Sequence, residues 1–296
     1  METSDIQDCV IIGGGPAGLT AALYLARFLR RVTVFDGQDG RALMIPRTHN
    51  LTPFPDGISG QELLGQMLSH ARRYGAVVEA GTVENVEQQS GVFRVVADRR
   101  IALARNVIFA TGVFNHRPSM AADDHAKGLA RGLLRYCPVC DAYEVRDKRI
   151  AVLGRGKHGL QEASFLRHYS PFVTLISPDG SSVTARNGIS VLQPALMGIA
   201  LSETEVLLTL QDGHTHHFDT LYVALGTTPR ADPAIRLGLD LDDAGHIAID
   251  AKHKTSVDAV YAIGDVINGL DQIAVAMGQG AIAATAIHND LTASIS

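Results

Sequence analysis

Cysteine is scarce in this chain: its 296 residues hold three, Cys9, Cys137 and Cys140. Three are too few for the disulfide framework that staples small extracellular domains. No uncharged apolar run is long enough to span a bilayer. The opening stretch, METSDIQDCVIIGGG, puts acids ahead of a short apolar run and lacks the cationic start of a secretory signal. Basic charge is in short supply as well. Lys and Arg number 26 against 31 Asp and Glu, a net charge of −5. Pairs such as Arg30-Arg31, Arg72-Arg73 and Arg99-Arg100 read as solvated surface, not as a stripe that would hold nucleic acid. These absences predict a soluble cytoplasmic protein with no membrane segment and no nucleic-acid partner. The cytosol keeps thiols reduced, so a disulfide between Cys137 and Cys140 would be catalytic more readily than structural.

What the chain does have is a repeated α/β pattern. Hydrophobic residues make up 46% and charged residues 19%, enough for a sizeable core and too little charge for disorder. The length suggests about two domains. DCVIIGGG is a short apolar run ending in glycines. It leads into AGLTAALYLARFLRR, where Leu19, Ala22, Leu23, Ala26 and Leu29 recur at helical spacing, and then into VTVFDG. That is strand, turn, helix, strand, the start of a parallel sheet. A helix follows over GQELLGQMLSHARRYG with Gly75 as its C-cap. GVFRVVAD and RNVIFATG are strands. KRIAVLGRGKHGLQEASFLRHYSPFVTLIS repeats the first pattern. LYVALGTTPR and AVYAIGDV each end a strand on glycine, and DQIAVAMGQGAIAATAIHNDL is a closing helix rich in small residues. The expected fold class is α/β, with two Rossmann-like, three-layer nucleotide-binding domains.

Gly13-x-Gly15-x-x-Gly18 lies between a strand and a helix. Its glycines permit a tight turn, close approach to a pyrophosphate and tight helix–strand packing. The helix N-terminus offers free N–H groups to phosphate. Asp36 ends the next strand, about twenty residues on, where an acid commonly binds a ribose hydroxyl. With strand, helix and acid in place, the motif predicts a bound dinucleotide, although it does not separate flavin from nicotinamide.

Gly13 to Gly18, Ala110-Thr111-Gly112, Cys137 to Asp141, a second glycine motif at Gly154, Gly156 and Gly159, and AIGDV before a small-residue helix stand in one order. In that order and combination the chain resembles the low-molecular-weight thioredoxin reductases, FAD-dependent pyridine nucleotide-disulfide oxidoreductases, over nearly all its length. The resemblance implies FAD at Gly13, Gly15, Pro16, Ala17, Gly18, Asp36, His49, Asn50, Val83, Ala110, Thr111, Gly112, Gly264, Asp265, Gln272 and Ile273. Asp265 would reach the ribityl chain, and Gln272 and Ile273 would lie beside the isoalloxazine ring. Where the family often has Arg-Gln-Ala, this chain has Asp271-Gln272-Ile273, which changes the charge near the flavin. The resemblance and the late position of AIGDV imply a discontinuous FAD domain, 1–115 and 245–296. The second domain, 116–244, is inserted into it and carries both the cysteine pair and the second glycine motif. The crossings near Phe114-Asn115 and Ala244-Gly245 would act as a hinge. A homodimer is also implied.

Zinc is the first alternative for the cysteine pair. A structural site needs four ligands, and no second C-x-x-C half exists. His214, His216 and His217 follow a DG turn signal and read as a solvated hairpin, so no metal is expected. A redox dithiol fits better, because the spacing lets one thiolate attack while the other resolves. Pro138 stiffens the loop. Asp141 is either a turn or cap residue, or a proton carrier if burial raises its pKa. By the resemblance, Cys140 would face the flavin, Cys137 would exchange with the substrate disulfide, and Asp141 would be the acid. Ala142 replaces a usual glycine. Cys9, inside the first strand, reads as core packing.

The electron donor is less determined. Gly154, Gly156 and Gly159 would hold a second nucleotide: NADPH or NADH, or a second FAD. The family holds the NADPH 2′-phosphate with a His-Arg-Arg run, and here Ser177, Pro178 and Asp179 stand in its place. A phosphate dianion needs arginine or a point charge; Asp179 would repel it, and Arg186 is off the matching spacing. Nicotinamide bound through other contacts is one reading. Other thioredoxin reductase-like proteins take electrons from ferredoxin, hold a second flavin, or pass electrons from a dithiol to oxygen. His49-Asn50 replaces a common Glu-Asn, and His49 reads as a structural histidine, with proton donation near the flavin as the alternative. The expected function is electron exchange between FAD, Cys137/Cys140 and an external disulfide or dithiol, with thioredoxin as the default partner. A non-catalytic flavin redox sensor is the competing class.

Overall fold

The computed structural model describes residues 6–184 and 188–293. β1 (Ile6–Ile12) is buried on both faces over its apolar half, Cys9 to Ile12. It turns through glycine into α1 (Pro16–Arg27), whose first turn opens on proline. β2 (Val32–Asp36), a 3-10 turn over Arg41–Met44, α2 (Gly60–Arg73) and β3 (Val77–Ala80) follow. Gly75, at φ 96°, takes the left-handed conformation just past α2. A meander of β4 (Val83–Gln89), β5 (Val92–Ala97) and β6 (Arg100–Phe109) comes next, and then β7 (Val113–Asn115).

The second pattern then begins: α3 (Ala122–Ala130), β8 (Leu134–Arg135), α4 (Pro138–Asp141), β9 (Ile150–Gly154), α5 (Gly156–Leu166), β10 (Val173–Ile176) and β11 (Ser190–Leu192). Three antiparallel strands, β12 (Leu196–Leu201), β13 (Val206–Leu210) and β14 (Thr215–Phe218), precede β15 (Thr220–Ala224). His214 lies in the turn between β13 and β14, and His216 and His217 lie on β14, so the three histidines do occupy a hairpin. The chain closes with β16 (Thr227–Pro229), α6 (Asp232–Leu237), β17 (Val260–Ala262) and α7 (Ile273–Ala293).

Two large sheets organise these elements. The first has the order β3-β2-β1-β6-β5-β4, with β17 also on β6; β3, β2, β1, β6 and β17 pair in parallel and the meander is antiparallel. The second, β11-β10-β9-β15-β8, is parallel throughout. The period of two along a strand decides which side each residue serves. Cys9 and Ile11 of β1 pack with Ala21 and Leu25 of α1 and Ala283 and Ile287 of α7. Val10 and Ile12 pack on the opposite side with Phe93, Val107 and Val260. β9 splits likewise: Ile150 and Val152 go to one core, Ala151 and Leu153 to the other. Each sheet is therefore covered on both faces, the three-layer arrangement expected. Cys9 is fully buried, as core packing requires, and burial holds its thiol well above the ordinary range.

Contacts divide the chain into two units. Unit 1 is the chain up to Met44, Gly60–Phe114, and the chain from Thr228 onward; unit 2 is Ile45–Ser59 and Asn115–Thr227. The outward crossing between the two units lies at Phe114–Asn115. The return lies at Thr227–Thr228 instead of Ala244–Gly245, because Ala231 and Ala234 at α6 pack into the core around Phe93 and Val107. Ile45–Ser59, expected with the first domain, belongs to unit 2. It is closed on itself by the pairing of Thr48 with Ile58, N–H to carbonyl at 2.8 and 3.0 Å. Among the described residues, no helix is long and apolar enough to cross a membrane.

Candidate functional site

The first glycine turn is built by backbone crowding. Gly13 has φ 114°, and a Cβ there would overlap the Ala110 carbonyl oxygen. A Cβ at Gly18 would overlap the Gly13 carbonyl oxygen, so α1 sits tightly on the end of β1. Gly15 has nothing within 4 Å of a built Cβ, and this open side is where a ligand can approach. Gly15 caps α1 without a side-chain hydrogen bond, and no acid lies in the first turn, so Pro16, Ala17 and Gly18 open a helix end suited to an anion. Gly14, which the motif leaves unspecified, has its own reason: a Cβ there would overlap the Asp36 carboxyl.

Other first-unit residues of the expected site lie on several elements of this unit, with Ala110 against Gly13 and Gly264 near Ala17. Ala110, Thr111 and Gly112 follow β6; Thr111 Oγ1 donates to the Arg230 carbonyl at 2.8 Å, and Gly112 accepts from the Arg230 N–H at 2.9 Å. Val83 is buried at the start of β4. Gly264, at φ 75°, donates its N–H to Gln279 Oε1 at 2.7 Å, and a Cβ there would stand 3.1 Å from Ala17 Cβ. Gln272 and Ile273 lie at the start of α7 and are half-buried. Arg41, which the sequence did not single out, binds both nearby acids: its Nη1 lies 3.0 Å from Asp265 and 2.7 Å from Asp271. Arg41, from the 3-10 turn Arg41–Met44, thus sets one cation between the two carboxylates. Burial raises the Asp265 carboxyl above its ordinary range and Asp271 adds to this, while Arg41 opposes both. Crowded glycines around one open face, an uncapped helix end and Asp36 beside Gly14 fit a dinucleotide such as FAD.

His49 and Asn50 lie in the Ile45–Ser59 segment of unit 2. Thr48 donates to Asn50 Oδ1 at 2.8 Å, and Asn50 Nδ2 donates to the Val139 carbonyl at 3.4 Å, inside the cysteine loop. His49 is exposed, and its ring lies against Gly57.

Cys137 and Cys140 form a disulfide, S–S 2.07 Å. Pro138 begins α4, and Cys137 is its N-cap: the Cys140 N–H donates to Cys137 Sγ at 3.1 Å. That contact favours negative charge on Cys137 over Cys140. Asp141 ends α4 between two donors. Arg135 Nη1 reaches Oδ2 at 2.6 Å and the Tyr222 hydroxyl reaches Oδ1 at 2.7 Å. The parallel register of β8 and β15 sets Arg135 against Tyr222, which explains why both meet one carboxylate. Burial pushes the Asp141 carboxyl above its usual range, while Arg135 and Tyr222 pull it back. Ala142 is buried at φ −64°, a conformation that needs no glycine. Arg135 stands two residues before Cys137 and was within reach of sequence reasoning. Tyr222 was not, because only sheet pairing brings it there.

The second glycine turn repeats the first. A Cβ at Gly154 would lie 2.7 Å from Gly159 Cα, and Gly156, at φ 48°, faces open space. Arg155 is the middle residue of the motif, and its Nε lies 2.9 Å from Asp179. Arg186 lies outside the described residues. Among those described, no group of three or more His, Cys, Asp or Glu is placed to hold a metal.

Comparison with known proteins agrees with this arrangement. The family model for pyridine nucleotide-disulphide oxidoreductases matches residues 7–280. A thioredoxin reductase of Mycolicibacterium smegmatis is 31% identical, over 90% of this chain and 91% of its own. One of Streptomyces clavuligerus is 32% identical, over 95% and 92%. The crystal structure of thioredoxin reductase from Streptococcus pyogenes superposes with a TM-score of 0.89 at 26% identity, over 98% of this chain and 100% of that one. With two glycine turns, each on its own Rossmann-like sheet, and a C-x-x-C beside a half-buried acid, the chain belongs to the pyridine nucleotide-disulphide oxidoreductases and is a thioredoxin reductase-like flavoprotein.

Proposed function

We propose that the protein relays electron pairs between FAD held in unit 1, the Cys137/Cys140 couple, and an external disulfide, with thioredoxin as the default partner. The observation that carries this reading is the Cys137–Cys140 disulfide followed at once by Asp141, held between Arg135 and Tyr222. Gly13, Gly15, Gly18, Asp36 and Asp265 would hold the FAD, which when bound supplies a two-electron donor and acceptor. In the reduced state, the Cys137 thiolate attacks one sulfur of the external disulfide, and the other partner sulfur leaves. The Cys140 thiolate then attacks Cys137, forming the internal disulfide and releasing the second partner sulfur. The dithiol loses two electrons, the external disulfide gains two, and the two leaving thiolates each take a proton. Asp141 is placed to pass such protons, and its burial favours the protonated form that a donor needs.

The position of Cys137 at the N-cap, with the Cys140 N–H on its sulfur, supports Cys137 as the attacking group. Steady-state reduction of an external disulfide tests the proposal against a redox sensor. A relay turns over many times, and Cys137→Ser abolishes turnover while keeping bound FAD. A single turnover per chain, or a fully active Cys137→Ser, contradicts it.

A further inference from the structure

Each glycine turn meets an acid from the next strand's far end, at different places: Asp36 is the last residue of β2, and Asp179 lies three residues past β10. In unit 1 the middle residue of the triplet, Gly14, lies against Asp36 at the end of β2. In unit 2 the middle residue, Arg155, lies against Asp179 in the turn after β10, with Nε 2.9 Å from Oδ2. An acid near the end of the strand that follows a glycine turn accepts the 2′-hydroxyl of an adenosine ribose, whereas a 2′-phosphate needs an arginine there instead.

Asp179 is fixed by its own turn. Its Oδ1 accepts from the Ser177 hydroxyl at 2.7 Å and from the Ser181 N–H at 3.0 Å. Ser177 is buried and also shares a 2.7 Å hydrogen bond with the Ser181 hydroxyl. The hydrogen bond from Ser177, and then those from Ser181 and Arg155, hold the carboxyl well below the usual range, so it stays ionised at neutral pH. The Arg155 guanidinium, the cation set in the glycine turn itself, is already paired with that carboxylate. A phosphate dianion entering this corner would face Asp179 and compete with it for Arg155. A ribose diol would only add a donor to a carboxylate built to accept one.

We infer that Asp179 is the specificity-determining residue of the second nucleotide site, and that it selects adenine dinucleotides with a free 2′-hydroxyl over those with a 2′-phosphate. This rests on the reading that unit 2 binds a dinucleotide, and it makes NADH the fitting nicotinamide.

Binding to the FAD-loaded, oxidised protein tests it without turnover. NAD+ and NADP+ do not react with oxidised flavin, and calorimetry gives their dissociation constants directly. NAD+ binds at least about tenfold tighter than NADP+, the size of one lost or gained polar contact. Asp179→Asn keeps the turn's acceptor oxygen and removes its charge, and it narrows that ratio towards one. Equal or tighter binding of NADP+ by the unaltered protein overturns the inference, as does an Asp179→Asn variant with the ratio unchanged. If neither nucleotide binds while a small dithiol still bleaches the flavin, the inference falls and the flavin–dithiol relay stands. If the dithiol also fails to bleach the flavin, the relay falls with it.

Discussion

Asp141 carries opposing influences that can be separated by mutation. Burial favours its neutral form, and Arg135 and Tyr222 favour its charged form. Removing the Tyr222 hydroxyl deletes a donor to the carboxylate, so Tyr222→Phe moves the Asp141 pKa further up. If Asp141 passes protons to departing thiolates, the fall in exchange rate at rising pH then begins at a higher pH. A pH profile for the pre-reduced protein and an external disulfide measures this directly. An unmoved profile, or one moved down, would remove Asp141 from the proton path. The sign for stability follows from the same shift. A carboxyl raised by folding adds stability below its unfolded pKa and loses it as pH rises through the folded value. Tyr222 is fully buried, and losing its hydrogen bond costs about 1–2 kcal/mol. A shifted profile in a variant that stays fully folded at the assay temperature despite this loss would separate a proton role from a packing role.

At the scale of elements, the glycine turn after β1 divides its residues between fold and ligand. Gly18 is required by backbone: a Cβ there meets the Gly13 carbonyl oxygen, which cannot rotate away. Gly18→Ala costs about 1–3 kcal/mol through overpacking and shifts α1 off β1. Gly15 faces open space, so Gly15→Ala leaves the melting temperature near that of the unaltered protein and weakens FAD retention. Thermal melts and flavin counts after gel filtration distinguish the two, and equal effects in both assays would contradict the division. These turns, their strands and their helices were legible because period and glycine spacing are local signals. The rest depends on distant pairing. β8 is two residues long and exists through its register with β15. Ile45–Ser59 looked like part of the first domain, and only the closure of Thr48 on Ile58 and the reach of Asn50 to Val139 draw it to unit 2. The return crossing near Ala244-Gly245 was expected from the late position of AIGDV and from the resemblance, and Ala231 and Ala234 reveal their place only in the packed core. Arg41 was invisible for a similar reason, since its two acids lie far along the chain.

At the scale of the whole chain, two units carry complementary chemistry. Unit 1 has the glycine turn, Asp36 and Asp265; unit 2 has the cysteine pair, Asp141 and a second glycine turn with Asp179 in its corner. The chain crosses between them within β7 and again within β16. Electrons can enter such a protein from a nucleotide or from a dithiol, and the central claim is common to both routes: the Cys137/Cys140 couple exchanges an electron pair with bound FAD. The most direct measurement is anaerobic titration of the flavin-loaded protein with a small dithiol, with the flavin colour followed over time. The unaltered protein bleaches and Cys140→Ser, loaded with the same amount of FAD, stays yellow. A Cys140→Ser protein that bleaches as fast as the unaltered one would show that the cysteine pair is not on the electron path.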